Sequence, residues 1–358
     1  MKHFLISTIL LVVMNSAIAY ELTDLGANVT PKAISNYIDD NLVIVGSSNT
    51  HQYPPTAFSW TAKSGFQLID GTSANVVNAY GLIAGTTITG AFITDGEQYL
   101  DCSDYNAHGM NQYGSVAGYK VGTNPYRPRS LPYNPAVFEG NSWFECESWN
   151  VFDIARVYRR GRRDGVYADR FILNAINDGG YAVGYKYRYG LVGSTSILIN
   201  TNASINDSSD ITYLSIPAGG KAADINNKNI IVGTTGSNTR TEPEIYRRAY
   251  ALDYRTNDLS LLPVLEGGMR SSANDINDLN QVVGSSEKLV GATTEDHAFL
   301  WADGTIVDLN DWATAGWVLT SATAINDRGD IVGTGYLNGV PHGFLLTNDP
   351  ITVPSRVN

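Results

Sequence analysis

The sequence predicts an all-β fold, a seven-bladed β-propeller of four-stranded blades. Three observations predict it. One short motif returns seven times, a second strand pair follows each return, and the two ends of the chain each hold what the other lacks. A period of tens of residues is the mark of a repeat architecture, and it overrides any domain count based on length.

The motif is plainest toward the C-terminus. One copy runs from Ala324 through Ile325-Asn326-Asp327-Arg328-Gly329-Asp330 to Gly333. Earlier copies span Asp275 to Gly284, Asp224 to Gly233 and Ala175 to Gly184. Three degenerate copies end at Gly118, Gly85 and Gly46. Neighbouring closing glycines stand 33 to 66 residues apart, a range that brackets the roughly 40–50 residues of propeller repeats. Ala-Ile-Asn reads as a short strand. Asn-Asp-x-Gly reads as a tight turn, because Asn, Asp and Gly tolerate left-handed backbone. Ile-Val-Gly is β-branched and reads as a second strand. Its continuous apolar run indicates burial on both faces.

A third strand follows each copy, as in Thr56-Ala57-Phe58-Ser59-Trp60, His297-Ala298-Phe299-Leu300-Trp301 and His342-Gly343-Phe344-Leu345-Leu346. A fourth is clear at Gly65 to Asp70, Glu97 to Asp101 and Gly304 to Leu309. Four strands per repeat make a propeller blade. The last copy stops after its third strand, whereas Glu21 to Gly26 reads as a fourth strand with no repeat before it. The N-terminal strand is therefore expected to pair with the last blade. That closure removes the sheet edges an open array would expose.

Met1-Lys2-His3, an apolar run from Phe4 to Met14 and Ala17-Ile18-Ala19 make a secretory signal peptide over residues 1–19, cleaved after Ala19. Asn15-Ser16 break the run short of the roughly 20 apolar residues a membrane span needs. Residues 20–348 are then one propeller domain, with a basic insertion at about 151–171 between blades 3 and 4 and a tail over 349–358. The mature protein is expected to be secreted or periplasmic and a monomer.

The pattern A-I-N-D-x-G-x-I-V-G followed by H-A-F-L-W resembles the extracellular HAF-repeat proteins of bacteria. His297-Ala298-Phe299 is the literal tripeptide, and His342-Gly343-Phe344 and Thr56-Ala57-Phe58 depart from it. The resemblance spans nearly the whole mature chain and is strongest in the last four copies. It implies a secreted repeat protein and carries over no catalytic residue.

A net charge of -11 argues against nucleic-acid binding and against adhesion to anionic membranes. The Asn-Asp turns offer oxygens that suit calcium, but none has the ligand density of a calcium loop. His297 and His342 occupy equivalent strand positions without metal-binding spacing, and no cofactor is implied. A serine-nucleophile elbow is absent. Asp224 and Asp275, each before an Ile-Asn step on the innermost strand, are the carboxylate pair best placed for acid–base work in a channel.

The insertion is the most distinctive segment. It holds Arg156, Arg159, Arg160, Arg162, Arg163 and Arg170, with Tyr158 and Tyr167 among them. Insertions in repeat proteins map to loops, often on the binding face. Arginine beside aromatic rings suits an anionic glycan or an acidic protein partner. Cys102 and Cys146 are expected to form a disulfide in an oxidising compartment, although equivalent outer strands of neighbouring blades normally stand too far apart for one. The sequence thus points to a secreted, non-catalytic binding or scaffold module. The alternative is an extracellular polysaccharide hydrolase or lyase with a carboxylate-based site.

Overall fold

The computed structural model describes residues 20–36, 41–49, 54–122, 133–138, 149–151, 157–160, 165–189, 193–203, 211–217, 219–236 and 247–347. The expected signal peptide and C-terminal tail lie outside these. The fold is an all-β propeller. The first strand, β1 (Glu21–Ala27), belongs to the last sheet. A sheet of β2 (Val29–Asn36), β3 (Leu42–Ser48), β4 (Thr56–Thr61) and β5 (Gly65–Ile69) comes next. It is followed by β6 (Ser73–Val77), β7 (Ile83–Thr86), β8 (Gly90–Thr94) and β9 (Tyr99–Ser103).

A nine-stranded sheet then holds β10 (Tyr105–Met110), β11 (Val116–Val121), β12 (Tyr133–Phe138), β13 (Trp149–Val151), β14 (Val157–Arg160), β15 (Gly165–Ile176), β16 (Tyr181–Tyr189), β17 (Ser194–Asn200) and β18 (Thr212–Tyr213). Two regular sheets follow: β19 (Lys221–Ile225), β20 (Ile230–Thr234), β21 (Ala249–Asp253) and β22 (Asp258–Leu261), then β23 (Ser271–Ile276), β24 (Val282–Val290), β25 (Thr293–Ala302) and β26 (Thr305–Asp308). A short 3-10 turn, Leu309–Trp312, leads to β27 (Trp317–Ile325), β28 (Ile331–Leu337) and β29 (Val340–Thr347), and β1 completes that sheet.

Seven separate blades were expected, and the structure has five four-stranded blades and one nine-stranded sheet. The cause is local. A single parallel bridge, Tyr133 to Arg170, joins β12 to β15 and merges what would otherwise be two pairing sets. Arg170 belongs to the basic insertion, so the extra residues are what fuse the sheet. The insertion is also not the loop expected. Its residues form β14 and the first half of β15, paired antiparallel from Val157–Ala168 to Arg160–Gly165.

Closure runs as expected. Leu22 pairs with Leu346, Thr23 with Leu345 and Asp24 with Phe344. Of the central strands, β8 is buried throughout and β3 in all but its last residue. Apolar clusters sit between successive sheets; one joins Leu25, Ile34, Ile44 and Phe58 to Ala324, Val332 and Leu345 across the closure.

The buried Asn of the motif works in two directions. Asn226 Oδ1 accepts from Lys228 N at 3.1 Å and Ile230 N at 3.0 Å, which shapes its own turn. Its Nδ2 donates 3.0 Å to the carbonyl of Asn277 in the next copy. Asn111, Asn177 and Asn277 repeat the outward bond, to the carbonyls of Asn177, Asn226 and Asn326. The following residue adds a second clasp. Asp278 Oδ1 accepts from Asn227 N at 2.8 Å, and Asp327 Oδ1 from Asp278 N at 2.8 Å. The oxygens considered for calcium are thus spent on N–H groups of their own turn and of the neighbouring copy.

Candidate functional site

The innermost strands β2, β6, β10, β15, β19, β23 and β27 follow one another round a central channel, and β27 returns to β2. Each carries a β-bulge at the same level, so one residue per strand is extra there, and β27 has a second shift between Leu319 and Ser321. Those residues are Lys32, Asn75, His108, Asn174, Ala223, Asn274 and Thr323, and all seven line a chamber of about 260 Å³ in the channel. A bulge re-aims a side chain, and here it does so round a full ring.

Asp224 and Asp275 line the same chamber. The structure brings this pair together, so that the Asp224 carboxylate acts on the Asp275 carboxyl. Asp224 Oδ2 accepts from Ile276 N at 3.0 Å and Asp275 Oδ2 from Ile325 N at 2.7 Å. Burial, reinforced by the Asp224 carboxylate, holds the Asp275 carboxyl well above the usual aspartate range. A folded-state value above the unfolded one means that this stabilisation is complete below the ordinary aspartate value of 3.8. It is lost as pH rises from there through the folded value. Asp275→Asn keeps an acceptor for Ile325 N and cannot ionise. At pH 7 it is expected to melt higher than the parent by a few degrees, about 1 kcal/mol, with the gap closing near pH 3. Melting curves at the two pH values check this, and a variant that melts lower at pH 7 contradicts it.

A second site lies at the end of the channel opposite the Asn-Asp turns, where the innermost strands begin. A cleft of about 760 Å³ is lined by Tyr185, Tyr187, Lys221, Arg247, Arg270 and Asp296, with several Ser and Thr hydroxyls. Lys221 Nζ stands 4.7 Å from the centre of the Tyr185 ring. Beside it, Arg170 Cζ lies 4.1 Å from the Tyr133 ring centre, and its Nη1 donates 3.1 Å to the Tyr187 hydroxyl. Tyr119 stacks on Tyr133 at 4.6 Å. Burial, then the neighbouring Tyr133, Tyr187 and Tyr185, push the Tyr119 hydroxyl up to about 12, against the pull of Arg170. Burial, then Tyr187, also raises the Tyr185 hydroxyl, so Tyr119 and Tyr185 are neutral hydrogen-bonding groups at physiological pH.

Of the insertion residues, Arg170 alone is placed by its side chain, at the centre of this tyrosine group. Tyr158, Arg159 and Arg160 lie on β14 and Tyr167 on β15. Arg156, Arg162 and Arg163 lie outside the described residues. Cys102 is disulfide-bonded and packs in the apolar cluster shared with Phe138. Cys146 lies outside the described residues.

His297 and His342 each face their own carboxylate and not one another. His297 Nδ1 donates 2.7 Å to Asp308 and His342 Nδ1 2.8 Å to Asp24. Lys288 also donates to Asp308 at 2.7 Å. Against the effect of burial, these bonds hold the Asp308 carboxyl below the usual range.

Sequence reasoning passed over Tyr119, Tyr133, Tyr185, Tyr187, Lys221, Arg247 and Arg270. A signal existed for two of them: Tyr185-Lys186-Tyr187 alternates along a strand, and period-two spacing places both rings on one face.

Fold and site together define a β-propeller with a polar channel and a cleft of tyrosines and cations on one face. The chain belongs to the family described as protein of unknown function (DUF3466), whose model matches residues 103–339. No curated protein sequence matches it. Three solved structures are similar. The β-propeller domain of the Trilobed protease from Pyrococcus furiosus is 10% identical with a TM-score of 0.52, over 90% of this chain and 96% of that one. An ulvan lyase of a new polysaccharide lyase family, bound to -[GlcA(1-4)Rha3S]-, is 10% identical with a TM-score of 0.54, over 92% and 96%. The acylaminoacyl peptidase of Pyrococcus horikoshii is 11% identical with a TM-score of 0.51, over 88% of this chain and 52% of that one. At such identity the likeness is one of fold. Among the described residues no helix is long and apolar enough to cross a membrane.

Proposed function

We propose that this chain is a secreted, non-catalytic binding propeller that takes an anionic glycan in the cleft beside Arg170. One observation carries the reading: Tyr185 and Tyr187 line the same cleft as Lys221, Arg247 and Arg270. Aromatic rings pack against sugar faces, and cations recognise carboxylate or sulfate groups. The hydroxyls of Ser194, Thr234, Ser271 and Ser272 supply short polar contacts. Arg159 and Arg160 on β14 and Arg170 on β15 add basic residues to this reading. Counting the nine-stranded sheet as two blades joined by one bridge makes the ring seven-bladed, with the insertion as the bridge. Export through residues 1–19 accords with a disulfide-bonded Cys102. A Cys102–Cys146 pairing and monomeric action belong to the same reading.

Binding of sulfated glucuronate oligosaccharides, measured by calorimetry against neutral dextran, tests it. Tyr185→Ala and Lys221→Ala are each expected to weaken binding about tenfold, the loss of roughly 1.4 kcal/mol, with melting unchanged. Equal affinity for the neutral glycan, or unchanged affinity in both variants, overturns it.

A second reading is polysaccharide cleavage by Asp224 and Asp275, favoured by their place side by side in one chamber, where Asp224 helps to raise the Asp275 carboxyl. Each already gives one oxygen to a backbone N–H, and a chamber of about 260 Å³ is small for a polymer. Release of reducing ends or of unsaturated uronate during the same titration, lost in Asp275→Asn, decides for it.

A further inference from the structure

The bulge ring separates what propeller assembly requires from what it leaves over. Asn75, Asn174 and Asn274 each donate Nδ2 to a carbonyl on the next innermost strand, those of Ala107, Ala222 and Ala322, at 2.7–2.8 Å. Thr323 Oγ1 donates 2.9 Å to the Pro31 carbonyl across the closure. Ala223 has no polar atom to offer. The two other bulge positions hold Lys32 and His108, and neither makes the clasp. Lys32 Nζ reaches Asn75 Oδ1 at 3.3 Å. His108 Nε2 is buried with no hydrogen-bond partner among the described residues. An orphaned buried ring nitrogen is a cost that folding alone does not explain.

The order of the strands places these groups on opposite walls. Lys32 on β2 and His108 on β10 flank β6. Asp224 on β19 and Asp275 on β23 stand across the ring from it. Burial and the Lys32 ammonium hold the His108 imidazole down to about 4, so that wall offers one ammonium and one neutral ring. The facing wall offers two carboxyl groups: among the described residues Lys32 is the sole Lys or Arg lining the chamber. Asp224 also lines a vestibule of about 370 Å³ at the turn face, which adds Asp178, Asp278 and Asp327.

We propose that the chamber binds a small ω-amino acid, its ammonium between Asp224 and Asp275 and its carboxylate against Lys32 and His108. A simple amine leaves Lys32 and His108 unanswered, and a simple carboxylate leaves the acid pair unanswered. A zwitterion answers both walls. This site is separate from the cleft and does not depend on the glycan reading.

The test is calorimetry on the full mature chain with glycine, 4-aminobutyrate and 6-aminohexanoate, alongside butylamine and butyrate. One ω-amino acid is expected to bind at least tenfold more tightly than either single-charge probe. Lys32→Met and Asp275→Asn are each expected to lower its affinity at least tenfold. His108→Gln, whose amide still reaches the chamber, is expected to lower it less than Lys32→Met, so the reading survives should one variant fail to fold. No binding by any zwitterion overturns the proposal. So does butylamine binding as tightly as 4-aminobutyrate, or an affinity unmoved by Lys32→Met. Glycan binding at the cleft is expected to be the same in all three variants, which keeps the two sites distinguishable.

Discussion

A chain lacking residues 21–27 is expected to lose the single cooperative melting transition of the intact protein. β1 is the outer strand of the last sheet and pairs with β29 from Glu21–Thr347 to Ala27–His342. It brings Leu25, buried at 3% exposure, into the cluster that joins the last sheet to the first. Leu22 and Tyr20 pack on the neighbouring cluster, where Tyr20 stacks against Trp312 at 4.4 Å and donates 3.2 Å to the Gly329 carbonyl. His342 donates to Asp24 across the same seam. Leu25→Ala alone is expected to cost about 3 kcal/mol. Removing the whole strand also exposes the edge of β29 and the apolar faces behind it. Total stability of a domain is only about 5–15 kcal/mol, so the truncated chain is expected to melt broadly, bind hydrophobic dye and aggregate. A peptide of residues 20–27 added back is expected to restore part of the transition. A truncated chain that melts sharply at the parent temperature contradicts this account.

The closure was legible because it is a matter of counting: a surplus strand at Glu21 to Gly26 and a deficit after Leu346 imply one another. The turn chemistry was legible for the same kind of reason. Asn229, Asn280, Gly180 and Gly329 hold φ values of 63°, 62°, 75° and 86°, as the Asn-Asp-x-Gly spelling requires. The merged sheet was not legible. It depends on one bridge between Tyr133 and Arg170, and no periodic pattern encodes a single long-range contact. The cleft was half legible. Arg170 stood out as part of a basic run. Tyr119 and Tyr133 come from one repeat, Lys221 and Arg247 from another, and they converge because the ring curves. The bulge ring was hidden as well. Lys32 and His108 sit in degenerate copies, and the extra residue becomes visible when strand registers are compared. Asp224 and Asp275 were the exception, because two successive copies carry the same carboxylate before Ile-Asn.

Gly333→Ala is expected to be the most damaging single-methyl change in the last sheet, and the reason explains why the motif ends in glycine. Gly333 pairs with Ala322 on one side and Phe344 on the other. The bulge at Thr323 pushes the β27 backbone toward it, so that an added Cβ collides with the Ser321 carbonyl. On the other side the Phe344 ring lies over the glycine, with Cζ 2.6 Å and Cε1 2.7 Å from that Cβ position. The same pairing of a closing glycine with an aromatic ring recurs at Gly46 with Phe58, Gly85 with Phe92, Gly233 with Tyr250 and Gly284 with Phe299. The two halves of the repeat, the closing glycine and the aromatic of the next strand, are therefore one packing unit. Overpacking of a rigid core costs about 1–3 kcal/mol and sometimes more. Two rigid obstacles, one of them backbone, place Gly333→Ala at about 3 kcal/mol or above, a drop of roughly 6 °C in melting temperature for a domain of this size. Gly304→Ala is the matching control. Its φ is +82°, but nothing lies within 4 Å of the added carbon, so backbone strain of about 1 kcal/mol is all it should show. Equal losses in the two variants mean that the bulge and the ring do not crowd the closing glycine, and the link between the two halves of the repeat then fails.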